Sequence, residues 1–201
     1  MSALSDKFVS FWELDEESGT RFDKVTASAN DLTDNNTVTR AVGKVGNAAQ
    51  FTRANSESLS HANNASLSTG DINLTICAWV YMDAKPAGSP AIMKIVEPDY
   101  DGTGGVTFDY RNDADDRFRC EWLDGAGGQA AFVAANDFGS PSAATWYFVV
   151  AQFDPVANTA YISVNNGKVT SAAQTAPHGD GMAGGAGRTP RRILLWRPTS
   201  R

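Results

Sequence analysis

The sequence predicts an all-β protein, an antiparallel β-sandwich of about a dozen short strands. Apolar residues alternate with a period of two, and no apolar stripe of helical spacing exceeds about two turns. Turn-forming residues, among them 18 glycines, separate the alternating runs. With 42% hydrophobic and 20% charged residues, the composition is that of a folded globular chain. No apolar run approaches the roughly 20 residues that cross a bilayer, so we expect no membrane insertion.

The clearest predicted strand covers Asn73 to Tyr81. Its even-numbered and odd-numbered positions are both largely apolar, and a strand that is apolar on both faces belongs in the middle of a sandwich or inside a sheet that is covered on both sides. We therefore expect Trp79 to be a packing residue. The run from Trp146 to Phe153 is a second strand of this two-faced type, ended by Asp154-Pro155.

Two further runs have one apolar face each. Arg117 to Trp122 places Phe118, Cys120 and Trp122 inward. Thr159 to Val164 leads into Asn165-Asn166-Gly167, and the Asn-Gly pair predicts a type I′ hairpin turn that returns through Val169 and Thr170.

Weaker alternation predicts the remaining strands: Phe8 to Trp12, Ala48 to Phe51, Ser58 to Ser60, Ala91 to Ile95, Val106 to Tyr110, Ala130 to Val133 and Arg192 to Trp196. No linker-like stretch divides the chain, so residues 1–201 are expected to form one domain. Its end is atypical, with a Gly-rich and then Arg-rich segment over residues 179–201. The two cysteines, Cys77 and Cys120, lie in strand patterns and are expected to be buried, reduced thiols.

Charge is unevenly distributed along a chain whose net charge is −6. Residues 1–187 hold 12 basic and 23 acidic side chains, whereas residues 188–201 hold five arginines and no acid. An acidic body argues against nucleic-acid binding, which needs a basic face. The arginines are predicted to form an interaction tail for carboxylates of the same or a neighbouring subunit, which favours self-association or a larger assembly: Arg188, Arg191, Arg192, Arg197 and Arg201. The alternative is a disordered or altered terminus.

Several motifs in sequence order resemble laminin-G-like, concanavalin-A-like jelly-roll modules. They are the opening Phe11 to Thr20 with Asp23, then Gly43 to Phe51, Leu74 to Val80, Trp146 to Ala151 and Tyr161 to Gly167. The segments Ser56 to Ser60 and Leu67 to Asp71 are similar to copies in bacteria and tailed phages. The C-terminal segment departs from the family pattern, because Gly179 to Gly187 replaces an alternating strand.

The resemblance implies a jelly roll that acts as a non-catalytic, lectin-like recognition module for a glycan or a host surface. The absence of a visible signal peptide and the reduced thiols favour a virion or cytoplasmic assembly, such as a phage head decoration or tail component, while an extracellular surface stays open. The alternative is a purely structural assembly protein without a small ligand. A third hypothesis is a polysaccharide-degrading enzyme of the jelly-roll type.

The enzymatic hypothesis rests on Glu13-Leu14-Asp15-Glu16-Glu17, which resembles the alternating carboxylates of family 16 glycoside hydrolases. Here the motif lies near the N-terminus and runs into Ser18-Gly19, so it is interpreted as a strand end and a turn. We expect no enzymatic activity.

The resemblance also implies calcium, which such modules hold between loop carboxylates and carbonyl oxygens. Hard cations require several oxygen ligands. The two acidic loops that offer carboxylates supply Asp99 and Asp101, and Asp113, Asp115 and Asp116. The alternative is that these are solvated acidic turns.

A sugar-binding surface needs exposed aromatic rings beside hydrogen-bonding groups. The candidates for such a surface are Tyr100, Tyr110, Asn112, Trp122, Asp124 and Gln129. The alternative for each aromatic residue is burial in the core.

Overall fold

The computed structural model describes residues 8–25, 29–62, 64, 66–67, 73–88, 91–96, 105–123 and 128–175. Within these residues the chain forms a short 3₁₀ turn, Arg53–Asn55, and twelve strands. The strands are β1 Thr33–Asn35, β2 Thr39–Val42, β3 Asn47–Gln50, β4 Ser58–Ser60, β5 Leu74–Tyr81, β6 Ala91–Val96, β7 Gly105–Asn112, β8 Arg117–Leu123, β9 Gln129–Ala134, β10 Trp146–Asp154, β11 Thr159–Val164 and β12 Thr170–Ala173.

The strands form an antiparallel β-sandwich, as the sequence predicted. One four-stranded sheet has the order β12-β11-β10-β5, and the other has the order β6-β7-β8-β9. The remaining four strands form two ribbons, β1-β4 and β2-β3. No helix in this part of the chain has the length and apolar character needed to cross a membrane.

Aromatic side chains from β8 and β10 join the two main sheets. The ring of Phe118 packs edge-on against Tyr147 at 5.6 Å, and the ring of Trp122 lies 5.8 Å from that of Phe153. Phe118, Trp122 and Phe153 are completely buried. Large buried rings contribute much of the stabilisation of a core, and here they fix one sheet on the other.

The N-terminal segment is held by one carboxylate rather than by a strand. Asp23 Oδ1 accepts hydrogen bonds from the amides of Phe11 and Val25, at 2.9 Å each, and Oδ2 accepts one from the amide of Asn30 at 3.0 Å. The predicted strand from Phe8 to Trp12 is wrong, because Trp12 forms a single bridge with Asp23 instead of a ladder.

The other predicted strands within the described residues are confirmed to within a few residues at their ends. The structure adds β1 and β2, which are short and mostly polar and so show no apolar alternation. The predicted strand Arg192 to Trp196 lies outside the described residues. The single-domain organisation of residues 1–201 stays a prediction.

The hairpin turn between β11 and β12 lies one residue earlier than predicted. Asn165 and Asn166 both have positive φ, 53° and 54°, and the amide of Gly167 donates to the carbonyl of Val164 at 2.9 Å. Asparagine tolerates the left-handed region, so the Asn-Asn pair occupies the central positions of the turn.

The prediction that β5 is an interior strand with buried Trp79 is wrong. Within the described residues β5 is the edge strand of its sheet, and Trp79 is 46% exposed. Cys77 on the same face is also exposed, whereas Cys120 is buried, and both are free thiols. The burial predicted for the two cysteines is therefore confirmed only for Cys120.

Two tryptophan substitutions should separate the core from the surface. Trp122→Ala removes a fully buried ring between the sheets and should lower the free energy of unfolding by about 3–5 kcal/mol. Trp79→Ala removes a ring that is nearly half exposed and should cost clearly less. Urea denaturation of both variants measures the difference, and equal losses would contradict the assignment of Trp79 to the surface.

Candidate functional site

The residues predicted to bind sugar do not form a shared surface in the described part of the chain. Tyr110 and Trp122 are completely buried, because their strand positions face the core, and the alternative that they are core residues is confirmed. The Asn112 side chain donates to the carbonyl of Pro86 at 2.7 Å, and that of Gln129 donates to Glu121 at 2.6 Å. Tyr100 and Asp124 lie outside the described residues.

An exposed group of four aromatic rings lies on the sheet β12-β11-β10-β5. We call it the aromatic face: Trp79 and Tyr81 of β5 together with Trp146 and Phe148 of β10. The ring centroids of Trp79 and Phe148 are 5.3 Å apart, and those of Tyr81 and Trp146 are 5.2 Å apart. Trp79 is the most open of the four, and the others are half-buried. The face therefore consists of two neighbouring ring pairs.

Strand pairing produces this arrangement. In the antiparallel register of β5 and β10, Trp79 lies opposite Phe148 and Tyr81 opposite Trp146. Side chains alternate between the two faces of a strand, so the burial of Tyr147 forces its neighbours on β10 outward. Directly opposed aromatic residues in a sheet are within contact distance, which stabilises each pair.

Polar groups surround the rings. The ammonium of Lys44 lies 5.7 Å from the centroid of the Trp79 ring, within the range of a cation–π contact. Further along the same face of the sheet, Thr75 lies opposite Gln152, and both side chains are exposed. Ser163 of β11 lies opposite Val150 of β10, so the same face of the sheet extends onto β11. Flat apolar rings beside hydroxyl, amide and ammonium groups are what recognition of a saccharide requires.

The sequence signal for this surface was present but ambiguous. Both β5 and β10 are apolar on two faces, and that pattern fits a strand covered on both sides as well as a strand with an exposed aromatic face. Which face is open depends on what packs against it, and β8 is distant in sequence from both strands.

A second polar site surrounds Asp116, one of the predicted calcium ligands. Its carboxylate accepts hydrogen bonds from Lys85, Ser140 and the hydroxyl of Tyr110. Burial opposes its ionisation, but these three donors outweigh that effect and lower the pKa of Asp116 below its ordinary value of 3.8. Burial raises the pKa of Tyr110 well above its ordinary value of 10, and the hydrogen bond to Asp116 and the negative charge of Asp116 raise this pKa further. The phenol therefore stays protonated and donates its hydrogen bond. These hydrogen bonds connect the three loops that contain Lys85, Asp116 and Ser140.

The carboxylate of Asp113, in the same loop, also has protein partners. Asp113 Oδ2 lies 3.8 Å from Arg111 Nε and 3.8 Å from Arg119 Nη1, and its Oδ1 accepts the amide of Asp115. Among the residues that the structure describes, no three His, Cys, Asp or Glu side chains are grouped so as to hold a metal ion. Asp99 and Asp101 lie outside this part, as do the tail residues Arg188, Arg191, Arg192, Arg197 and Arg201. The calcium site and the interaction tail stay predictions.

Asp116→Asn should reduce stability in a pH-dependent way. The pKa of Asp116 is lower in the folded state than its ordinary value of 3.8. The contribution of this carboxylate to the free energy of unfolding is therefore fully present above pH 3.8, and it is lost as the pH falls through the folded-state pKa. The difference in unfolding free energy between the wild type and Asp116→Asn should thus be largest at neutral pH and shrink on acidification below about pH 4. Urea denaturation across this range measures it.

The control for this experiment is Asp115→Asn, which removes an exposed carboxylate from the same loop. It should leave the stability profile close to that of the wild type. A constant difference between wild type and Asp116→Asn at every pH would contradict the role given to this carboxylate.

Comparison with known proteins agrees with the β-sandwich fold. The model of the Laminin_G_3 family, described as the concanavalin A-like lectin/glucanases superfamily, matches residues 52–190. No curated protein sequence matches the chain significantly. A similar solved structure is domain 4 of AbnA, a GH43 extracellular arabinanase from Geobacillus stearothermophilus, in complex with arabinotriose. The similarity covers 92% of this chain and 87% of that chain, with a TM-score of 0.53 and 12% sequence identity, which shows a shared fold alone. The sandwich topology and the match over residues 52–190 together place this chain in the laminin-G-like, concanavalin A-like superfamily.

Proposed function

We propose that this protein is a non-catalytic carbohydrate-binding module and that the aromatic face is its binding surface. The observation that carries the proposal is the exposure of Trp79, which is 46% accessible while its ring is held against Phe148. Tryptophan is highly buried on average, so an open, fixed indole ring on a sheet is a site for contact with a ligand.

The geometry of the face suits an oligosaccharide. The aromatic positions of β5 are two residues apart, as are those of β10, which separates the ring pairs by about 7 Å along the strands. Each ring is fixed by its cross-strand partner and by the pleat, so little side-chain entropy is lost when a ligand packs on it. The C–H face of one sugar ring packs on Trp79, and the next residue of the saccharide extends toward Tyr81 and Trp146.

The polar groups next to the rings supply orientation. Lys44 near Trp79, with Thr75 and Gln152 further along the face, offers ammonium, hydroxyl and amide groups at the edges of the apolar platform. Sugar hydroxyls hydrogen-bond to such groups, while the rings contribute contact area.

The carboxylates that a glycosidase would need are engaged elsewhere in the described residues. Leu14 has a φ of 60°, so Glu13 to Glu17 is not an extended strand with alternating carboxylates. Glu13 pairs with Lys24 at 3.2 Å, and Glu17 pairs with Arg40 at 2.9 Å. Glycoside hydrolysis requires two carboxyl groups facing one bond. This arrangement supports binding without catalysis.

The comparisons support the same class of ligand. The matching family takes its description from lectins and glucanases, and the similar solved domain of the arabinanase is in complex with arabinotriose. Arabinotriose is therefore the first saccharide to test, followed by an array of neutral oligosaccharides.

Trp79→Ala should weaken saccharide binding by about tenfold or more, because the main stacking ring is lost. Isothermal titration with arabinotriose, or with the strongest ligand on the array, measures the change. The control is Phe22→Ala, which removes a ring that is 54% exposed and belongs to neither of the strands that form the aromatic face. This control should bind as the wild type does.

Two results would overturn the proposal. One is equal saccharide affinity of the wild type and a folded Trp79→Ala variant. The other is that Trp79→Ala abolishes self-association, measured by sedimentation, while no saccharide on the array binds the wild type. The second result would favour the structural assembly protein, and the phage role predicted from the sequence would then be the hypothesis to pursue.

A further inference from the structure

The outward surface of the other sheet, β6-β7-β8-β9, has a different chemistry. At one end it carries a group that we call the arginine patch: Lys94, Asp109, Arg111, Asp113, Arg117 and Arg119. Tyr110 and Phe118 face the core, so strand alternation directs Arg111, Arg117 and Arg119 to the outside. The patch contains four cations and two carboxylates, and the exposed carboxylate of Asp115 and the Lys85-paired carboxylate of Asp116 precede Arg117 in the adjoining loop.

The two carboxylates of the patch pair with part of its positive charge. Asp109, only 1% exposed, accepts a hydrogen bond from Arg119 Nε at 3.2 Å, and its other oxygen lies 3.6 Å from the ammonium of Lys94. Asp113 lies 3.8 Å from both Arg111 and Arg119, which is beyond hydrogen-bond distance. Arg117 is therefore left without a carboxylate partner among the described residues, and Arg111 has only the distant ion pair with Asp113.

Arg111 and Arg117 are direct cross-strand partners in the register of β7 and β8. Like charges at opposed positions destabilise a sheet. The Nε atoms of both side chains are buried and have no hydrogen-bond partner in the described part of the chain. Arg117 Nη1 donates to the carbonyls of Asp115 and Asp116, while 28% of the Arg111 side chain is exposed. Two guanidinium groups are thus held side by side at the surface with donors to spare.

Two contacts hold the guanidinium of Arg119, the next arginine along β8. Arg119 lies over the ring of Phe132 at 5.2 Å while it is bonded to Asp109. On the next row of the same face, Glu121 accepts a hydrogen bond from Gln129. A fixed group of guanidinium forks matches the planar, bidentate geometry of an oxyanion better than a lysine cluster would.

We propose that the arginine patch binds an oxyanion, a carboxylate or sulfate group, between Arg111 and Arg117. The bound anion relieves the repulsion between the two arginines and accepts hydrogen bonds from their terminal nitrogens. The carboxylate of a uronic-acid saccharide and inorganic sulfate present this same chemistry. The site is separate from the aromatic face, because it lies on the opposite sheet and uses charge instead of stacking.

The test is a titration of the isotope-labelled protein followed by amide chemical shifts. Sodium sulfate and trigalacturonic acid are the two probes, and sodium chloride at equal ionic strength is the reference. We expect saturable shifts in residues 109–119 with sulfate, with trigalacturonic acid or with both, and none with chloride. Binding of both probes identifies a general oxyanion site, and binding of trigalacturonic acid alone identifies a uronate site.

Arg111→Gln and Arg117→Gln should each weaken this binding by about tenfold. Arg53→Gln is the matched control, since it removes the same charge from an exposed arginine outside the patch, and it should bind as the wild type does. If a Gln variant does not fold, Arg111→Lys and Arg117→Lys decide, because they keep the charge but lose the bidentate fork and should also bind more weakly.

The proposal is overturned if chloride causes the same shifts, if neither probe gives saturable shifts, or if Arg53→Gln weakens binding as much as the patch variants do. It is also overturned if folded Lys variants bind like the wild type. Trp79→Ala should leave sulfate and trigalacturonic acid binding unchanged, so this site and the saccharide site on the aromatic face can fail independently.

Discussion

The antiparallel register between β5 and β10 is the constraint on which the rest of the structure depends. The inner positions of β10 place Tyr147 and Phe153 against Phe118 and Trp122 of β8, and this contact joins the two sheets. Because successive side chains of a strand point to opposite faces, the burial of those rings places Trp146 and Phe148 on the outer face. The same pairing places Trp79 and Tyr81 of β5 beside them. One register therefore builds both the core and the aromatic face.

The two sheets consequently present different chemistry outward. The sheet that contains β5 and β10 presents two pairs of tilted aromatic rings, with polar neighbours and the ammonium of Lys44 beside Trp79. The sheet that contains β7 and β8 offers guanidinium groups around the buried carboxylate of Asp109, which is 1% exposed. A buried charge of this kind is costly unless it is paired, so Arg119 and Lys94 belong to the stability of the sheet as well as to its surface. A saccharide with both neutral and acidic residues would find different partners on the two sides.

Most of the strands could be predicted from the sequence, because short-range alternation decides them. Arg117 to Trp122 is an example: one face is polar and the other apolar, so the inward position of Trp122 follows from the pattern alone. A sugar-binding role for Trp122 conflicts with that pattern, and the complete burial of its ring in the structure agrees with the pattern. The position of Trp79 could not be predicted in this way, because β5 is apolar on both faces and only long-range packing decides which face is covered.

Contacts between loops that are distant in sequence could not be predicted from the sequence either. Asp116 was singled out as an acidic loop residue, but its partners Lys85 and Ser140 lie 31 and 24 residues away, and no local signal connects them. The turn after β11 was predicted in type and missed by one residue, because Asn165-Asn166 and Asn166-Gly167 both tolerate positive φ. Local chemistry thus predicts elements, whereas the choice among similar local solutions depends on tertiary contacts.

The central claim is that saccharide binds on the outer surface of β5 and β10. Amide chemical-shift mapping of the wild-type protein during titration with arabinotriose tests it most directly, since it locates the ligand without any substitution. The largest shifts are expected in residues 77–81 and 146–150. Shifts confined to β7 and β8, with the amides of β5 and β10 unchanged, would contradict it.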